Sequence, residues 1–374
     1  MSARQPSLLR TELALAISIP TAIVFLAFGK SWLEDLTSTP WYLFLFAWLF
    51  AVILWASFSV VRHADGLAIL LGEPYGTLIL TLSVIGIEVV MIAAVMLTGS
   101  NNPTLARDTM FSVLMIVLNG MVGVSLLIGA WKHHQQAYNL QGANAYIGVL
   151  LPLALLGLIL PRLTASAPGG EVSPVLAVYL IVATVLLYLV FLGIQTLRHR
   201  EFFKQPKSTE DADRFSEDDH GSIVVRTVTL HAVLLGVTMV PIVLLAKSMA
   251  VLVDHGLETL GAPQALGGFL IAILVLSAEG LTAFQAALAN RLQRSINVCL
   301  GSSLSTIGLT IPCVLIISLV TGTSVELGLY SVEILLLLLT LLVSMVNFSS
   351  GKTNVLQGFV HLLLFATYVL LIFD

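Results

Sequence analysis

Eleven long apolar runs divide the chain, at about 11–29, 41–61, 74–98, 108–130, 144–161, 173–196, 223–247, 264–288, 297–319, 326–347 and 354–373. Each is close to the roughly 20 residues that a helix needs to cross hydrocarbon. None shows the strict alternation of a barrel strand, and open sheet leaves backbone groups unpaired in lipid, so the runs are predicted to be helices. The first run has no small-residue cleavage site before Lys30 and leads directly into further spans, which argues against a cleavable signal peptide. The pattern predicts an all-α integral membrane protein of about 11 transmembrane helices.

Composition agrees: 57% of the 374 residues are hydrophobic and 10% charged. A soluble domain carries about 25% charged residues. The mean hydropathy is +0.99. A net charge of −4 gives no case for nucleic-acid binding. Cys299 and Cys313 fall 14 residues apart on one predicted helix, too far to bridge, and read as small apolar core residues.

The basic residues set the orientation. With the N-terminus inside, 13 of the 17 Lys and Arg fall on the inner side (Arg4, Arg10, Arg62, Lys132, Arg198, Arg200, Lys204, Lys207, Arg214, Arg226, Arg291, Arg294, Lys352). Lys30, Arg107, Arg162 and Lys247 fall outside. This bias favours a cytoplasmic N-terminus and, with eleven spans, an external C-terminus. The longest polar stretch, 197–222, is then cytoplasmic. Its segment STEDADRFSEDDHG carries six acids against Arg214 alone. It reads as a solvated linker, with a weak divalent-cation-attracting role as the sharper alternative.

One feature of the apolar runs is costly. TLSVIGIEVVMIAAVML carries Glu88 as its single charge, and LVLSAEGLTAFQAAL carries Glu279 in the same way. The two glutamates are 191 residues and five spans apart, each about 15 residues into its predicted helix. A small polar element follows each by 24 residues, Ser112 in FSVLMIVLNG and Ser303 in GSSLSTIG. Equal offsets predict a duplicated five-helix unit. The expected organisation is an extra N-terminal helix (1–30), a first repeat (31–196), the acidic linker (197–222) and a second repeat (223–374). Five helices is an odd number, so the copies enter the membrane in opposite senses, a signature of secondary transporters with a site near the midplane.

Two carboxylates in a low-dielectric cleft cannot both stay charged without a proton or a cation. Competition between the two for one pair of groups amounts to exchange. Supporting oxygens are expected from Thr81, Ser83, Ser112, Ser277, Ser302 and Ser303, with Gly86 and Gly280 flanking the glutamates and easing a local helix break that would free carbonyls. The bland alternatives are a carboxylate bonded to a neighbouring helix and hydroxyls bonded back to their own helix. His361 and His231 suit a proton relay or pH sensor, or are neutral imidazoles bonded across helices. Asn119 reads as glue between helices or part of proton access. Glu333 is placed to face an outer cleft, while Glu73, Asp65 and Asp108 near span ends read as solvated or capping groups.

At these residues the chain resembles the calcium/cation antiporter superfamily, in its cation/proton exchanger branch. VVRHADGLAILLGEPYGTLILTLSVIGIEVV is similar to the family's first repeat motif, LSAEGLTAFQAALANRLQRSINVCLGSSLSTIGLTIPCVL to the second, and SSGKTNVLQGFVHLLLFATYVL to the last span. The resemblance implies a ten-helix inverted-repeat core with one extra helix, in a bacterial cytoplasmic membrane. It implies export of Ca2+, Na+ or K+ for H+ with no cofactor, and it assigns Glu88 and Glu279 to the cation site with Gly301 and Ser302 beside it. One departure stands out. Where the family often has Gly-Asn before each glutamate, this chain has Val84-Ile85 and Val275-Leu276, which removes two amide oxygens, argues against tightly held Ca2+ and leaves room for Na+ or K+.

Two other classes fit less well. A channel needs a continuous pore and would pass cations without proton counterflow. A membrane-embedded enzyme finds no HExxH, GxSxG or phosphate-binding glycine loop in the sequence.

Overall fold

The computed structural model describes residues 11–71, 83, 85–90, 92–93, 96, 103–206 and 227–374. Among them, nine helices are long and apolar enough to cross a membrane. They are α1 (Leu13–Glu34), α2 (Thr39–Leu71), α3 (Leu105–His133), α4 (Leu140–Leu163), α5 (Pro174–Arg198), α6 (Val228–Leu260), α7 (Ala265–Leu288), α8 (Leu292–Thr321) and, after the shorter α9 (Ser331–Asn347), α10 (Val355–Ile372). The third expected span is described in part, and residues 85–90 of it are helical. Thr81, Val84, Glu73 and the acidic segment 208–221 lie outside the described residues.

The helices group into two compact units, residues 1–99 with 208–262 and residues 100–207 with 263–374. In the first unit α2 and α6 each run for 33 residues, well past the expected ends at 61 and 247. At 1.5 Å per residue each is about 50 Å long against a hydrocarbon core of about 30 Å, so both tilt or protrude. Their polar ends are stabilised by pairing. Tyr42 near the start of α2 packs against His255 near the end of α6, their rings tilted at 57°, and His63 near the end of α2 meets His231 near the start of α6. The two helices are therefore antiparallel. Aromatic rings hold α1 to α2: Phe25 packs edge-on to Trp48 at 5.4 Å and Trp32 edge-on to Trp41 at 5.8 Å.

In the second unit α3 is the centre. Of its most apolar window 83% is buried within the chain, against 28% for α5 and α10, which leave faces for lipid. Small residues let helices approach it, as expected where apolar lipid offers no hydrophobic drive for helix association. A Cβ on Gly358 of α10 would stand 2.8 Å from the Leu127 amide nitrogen and 3.0 Å from the Gly123 carbonyl oxygen of α3. A two-residue antiparallel ribbon, β1 (Gln136–Ala137) with β2 (Lys352–Thr353), ties the end of α3 to the start of α10. Asn139 and Asn354 cap α4 and α10 through their side chains.

Four helices of this unit are not regular: α3 carries a π-helical segment at Ile116–Met121, α4 at Leu155–Ile159, α5 at Ile194–Arg198 and α8 at Thr306–Thr310. By contrast α7 runs unbroken through Glu279 and Gly280, and residues 85–90 are helical through Gly86 and Glu88. The expected break beside the glutamates is absent from the described residues. Irregular backbone is found instead in later helices, among them α3 and α8, where the inserted residue re-aims side chains.

Asp108 corrects its reading as a solvated or capping group. It is 5% exposed, takes Arg107 at 2.8 Å and accepts from Thr104 Oγ1 at 3.0 Å. Arg107, 3% exposed, also reaches the Gly328 carbonyl at 3.3 Å and lies 4.5 Å from the Tyr330 ring. Its planar fork is thus filled by carboxylate, carbonyl and ring, which a buried guanidinium requires. Glu333 spends one oxygen on the Tyr330 amide at 2.7 Å, capping the start of α9.

Two outcomes follow. Gly358→Val is expected to lower the melting temperature and folded yield in detergent, with a cost of about 1–3 kcal/mol from overpacking; Gly148→Ala, whose added Cβ meets nothing within 4 Å, leaves both unchanged. Arg107→Ala strands the Asp108 carboxylate and is expected to cost about 3–5 kcal/mol. Asp108→Asn in the same chain then restores part of the lost melting temperature.

Candidate functional site

Glu279 is the fifteenth residue of α7, an apolar helix whose other members between Ala265 and Leu288 carry no charge. Its Oε2 accepts a hydrogen bond from Ser302 Oγ of α8 at 2.6 Å. Ser303, the next residue, is fully buried, and its hydroxyl has no hydrogen-bond partner among the described residues. Both serines stand just ahead of the π-helical segment of α8. On the α3 side, Met121, at the end of that helix's π-helical segment, packs 3.8 Å from where a Cβ on Gly280 would stand. The π-helical segments of α3 and α8 thus stand beside the helix of Glu279 and its partner Ser302.

Glu88 belongs to the first unit. It is 3% exposed and flanked by buried Ile85 and Ile87. Ser83, also buried, stands five residues before it. The structure therefore joins Glu279 to Ser302 and places Ser303 alongside, while Glu88, Ser83 and Gly86 are described in a separate unit.

The remaining expected ligands divide. Ser277 Oγ donates to the Ile273 carbonyl at 2.5 Å, a bond back to its own helix. Ser112 Oγ donates to the Asp108 carbonyl at 2.6 Å and meets Tyr368 Oη at 2.6 Å. Asn119, in the π-helical segment of α3, donates to Thr340 Oγ1 of α9 at 2.8 Å. Its Oδ1 meets His361 Nδ1 of α10 at 3.3 Å, which places the imidazole proton on Nδ1. His361 is completely buried, and its Nε2 has no hydrogen-bond partner among the described residues. Asn119 thus ties three helices together at the level where α3 departs from α-geometry.

Sequence reading missed three features. Thr306 and Thr310, both fully buried, lie within the π-helical segment of α8, and nothing in the sequence marks that geometry. Thr340 and Tyr368 complete networks whose other members were singled out. His63, inside RHADG, meets His231, and their proximity was not legible across a separation of 168 positions.

The chain was compared with known proteins. A family model described as sodium/calcium exchanger protein matches residues 41–197 and 230–373. The "Sodium-potassium/proton antiporter ChaA" of Escherichia coli (strain K12) is 42% identical over 323 residues, 86% of each chain. Among solved structures, native YfkE superposes with a TM-score of 0.73 over 97% of this chain and 99% of its own at 16% identity. The H+/Ca2+ exchanger CAX gives 0.73 over 96% and 87% at 15% identity. The all-helical membrane fold of these neighbours is the fold of this chain. The chain belongs to the sodium/calcium exchanger protein family, whose members are multi-pass membrane exchangers of cations rather than enzymes.

Proposed function

We propose that this protein is a secondary active antiporter that exports Na+ or K+, and Ca2+ less well, in exchange for H+. Its site is built by Glu88 and Glu279 near the bilayer midplane. The observation that carries this reading is Glu279, a lone carboxylate within an apolar helix, held by Ser302 beside the unbonded hydroxyl of Ser303. A carboxylate at such depth costs about 2.5–3.5 kcal/mol on insertion scales and marks an ion path when it is kept.

Several features support a duplicated architecture with opposed copies. The long helices α2 and α6, first in each proposed repeat, are antiparallel and equal in length. α4 and α9 start at Leu140 and Ser331, the 191-residue spacing of the two glutamates. The third helix of each repeat, α3 and α8, carries a π-helical segment, as do α4 and α5 of the first repeat. The family model also matches in two stretches, one per half. On this reading the excess of basic residues puts the N-terminus and acidic linker in the cytoplasm and the C-terminus outside.

The cycle follows from charge. Facing the cytoplasm, the glutamates release protons and take up a cation. The site then opens to the far side, the cation leaves and protons return. The empty, doubly ionised site is the costliest state, so the protein does not cross between faces without cargo. Ile85, Val275 and Leu276 are buried and apolar where amide oxygens would enlarge the shell. Ca2+ asks for six to eight oxygens, so this shell suits a monovalent cation better. The Escherichia coli relative, a sodium-potassium/proton antiporter by name, agrees with that preference.

The test uses everted membrane vesicles, acidified by respiration and read by a pH-sensitive dye. Wild type is expected to dequench the dye on addition of Na+ or K+, whereas Glu88→Gln and Glu279→Gln, present and folded, stay at the level of vesicles without the protein. Normal exchange by either variant would remove these residues from the site. Ser302→Ala removes a hydrogen bond to a charged group, worth about 1.5–3 kcal/mol, and is expected to raise the half-saturating cation concentration about tenfold or more. In a second series, Ile85→Asn with Leu276→Asn is expected to raise the Ca2+ response relative to Na+. An unchanged ion ranking would show that these positions do not set selectivity.

A further inference from the structure

The first unit holds a cluster of titratable groups that the exchange cycle does not use. His63 of α2 is 2% exposed and His231 of α6 is 4% exposed. Their Nδ1 atoms face each other at 3.1 Å. On its other side His63 Nε2 stands 3.0 Å from the Glu12 carboxylate, which also takes Arg62 Nη2 at 2.7 Å. Arg62 extends further to Ser59 Oγ at 3.0 Å and to the Thr11 carbonyl. Asp65 follows His63 by two residues on α2, and the nearest charged residue after His231 on α6 is Lys247. The His231 ring also lies directly over Gly66, where a Cβ would come within 2.7 Å of it. It is a wedge between two long helices, and it cannot shift without moving them.

The proton count of this cluster is limited by its geometry. Glu12 accepts from His63 Nε2–H, so His63 Nδ1 is the acceptor and His231 Nδ1–H the donor. A first added proton on the imidazole pair keeps the N–H···N contact, with Glu12 opposite it. A second sets two N–H groups against each other at 3.1 Å, with two positive, almost fully buried rings beside Arg62.

We propose that Glu12, His63 and His231 form a cytoplasmic proton sensor that holds the ends of α2 and α6 together and releases them when the cytoplasm becomes acid, slowing exchange. What the sensor controls rests on the antiporter reading above, but the sensor itself is read without it. It acts apart from the transport site, so its inhibition is not relieved by saturating cation.

The experiment has two arms. In the vesicles described above, with the cytoplasmic face outward, exchange at saturating Na+ is measured against external pH. Wild type is expected to lose activity on acidification. A protonation ratio changes tenfold per pH unit, so one unit below the wild-type midpoint His231→Gln and His63→Gln, which keep a hydrogen-bonding side chain but cannot charge, retain about tenfold more of their alkaline rate. Equal fractional loss in wild type and both variants would overturn the proposal. The second arm follows ring 15N signals of histidine in the purified full chain, with the two variants giving the assignment and their melting at alkaline pH confirming the fold. The coupled His63–His231 signals are expected to disappear on acidification, and their persistence through the acid range would overturn it. Absence of exchange by wild type with every cation would count against the antiporter reading, and the second arm would still decide the sensor.

Discussion

A carboxylate in hydrocarbon must either be neutral or have company, and that constraint organises this molecule. Most of its charges sit at helix ends or in the polar stretches between them. The buried Arg107–Asp108 pair meets the constraint by saturation: carboxylate, threonine, carbonyl and aromatic ring surround the two charges. Such a pair is fixed, because removing any member strands another. Glu279 meets it differently. Its carboxylate takes the Ser302 hydroxyl, and the neighbouring Ser303 hydroxyl has no hydrogen-bond partner among the described residues. On the proposed reading, that hydroxyl is one a transported cation can use.

Unsatisfied buried hydroxyls alone do not identify such a site. Thr109, Ser125 and Ser344 are also buried and lack a hydrogen-bond partner among the described residues. What separates Ser303 from them is its place: next to a serine bonded to an intramembrane carboxylate, at the mouth of a π-helical segment. The same distinction sets Asn119 apart from the glutamates. Its amide reaches Thr340 and His361 on two other helices and so fixes the π-helical turn of α3 rather than waiting for a ligand. Backbone irregularity in a membrane is tolerated only where neighbours satisfy it, and the Asn119 network supplies those neighbours.

Fold class was legible because the bilayer imposes one length and one polarity on every span. Glu88 and Glu279 stood out as candidates because a charge in an apolar run is anomalous by itself. Helix ends were less so. α2 continues ten residues beyond its apolar run because Arg62 and His63 find partners on α1 and α6, and a hydropathy pattern cannot see a partner. Asp108 was misread for the same reason. The Gly86 and Gly280 break was expected from glycine's weak helix propensity, but tertiary packing overrides that term, which is about 1 kcal/mol. The π-helical turns had no sequence signal, since VLNG and STIG are ordinary helix-compatible segments.

Competition at the glutamates gives an exchanger one form of control for nothing extra: protons on the cytoplasmic side displace the outgoing cation. That control fails where it matters most. An antiporter that brings protons in acidifies the compartment it draws its cation from, and an abundant cation outcompetes the proton at a shared site. A second group of titrating residues, outside the cation's reach, is not overcome in this way, because mass action at one site leaves the proton occupancy of another unchanged unless the two are coupled. The His63–His231 contact lies near the ends of α2 and α6, whereas Glu279 is in the middle of α7 and Glu88 falls deep within its apolar run of sequence. It also has the needed coupling, because the His231 ring fills the space over Gly66 and joins the two longest helices of its unit. A change of one proton there becomes a change in how two 33-residue helices are held, which is a lever on the conformations that any alternating mechanism must visit.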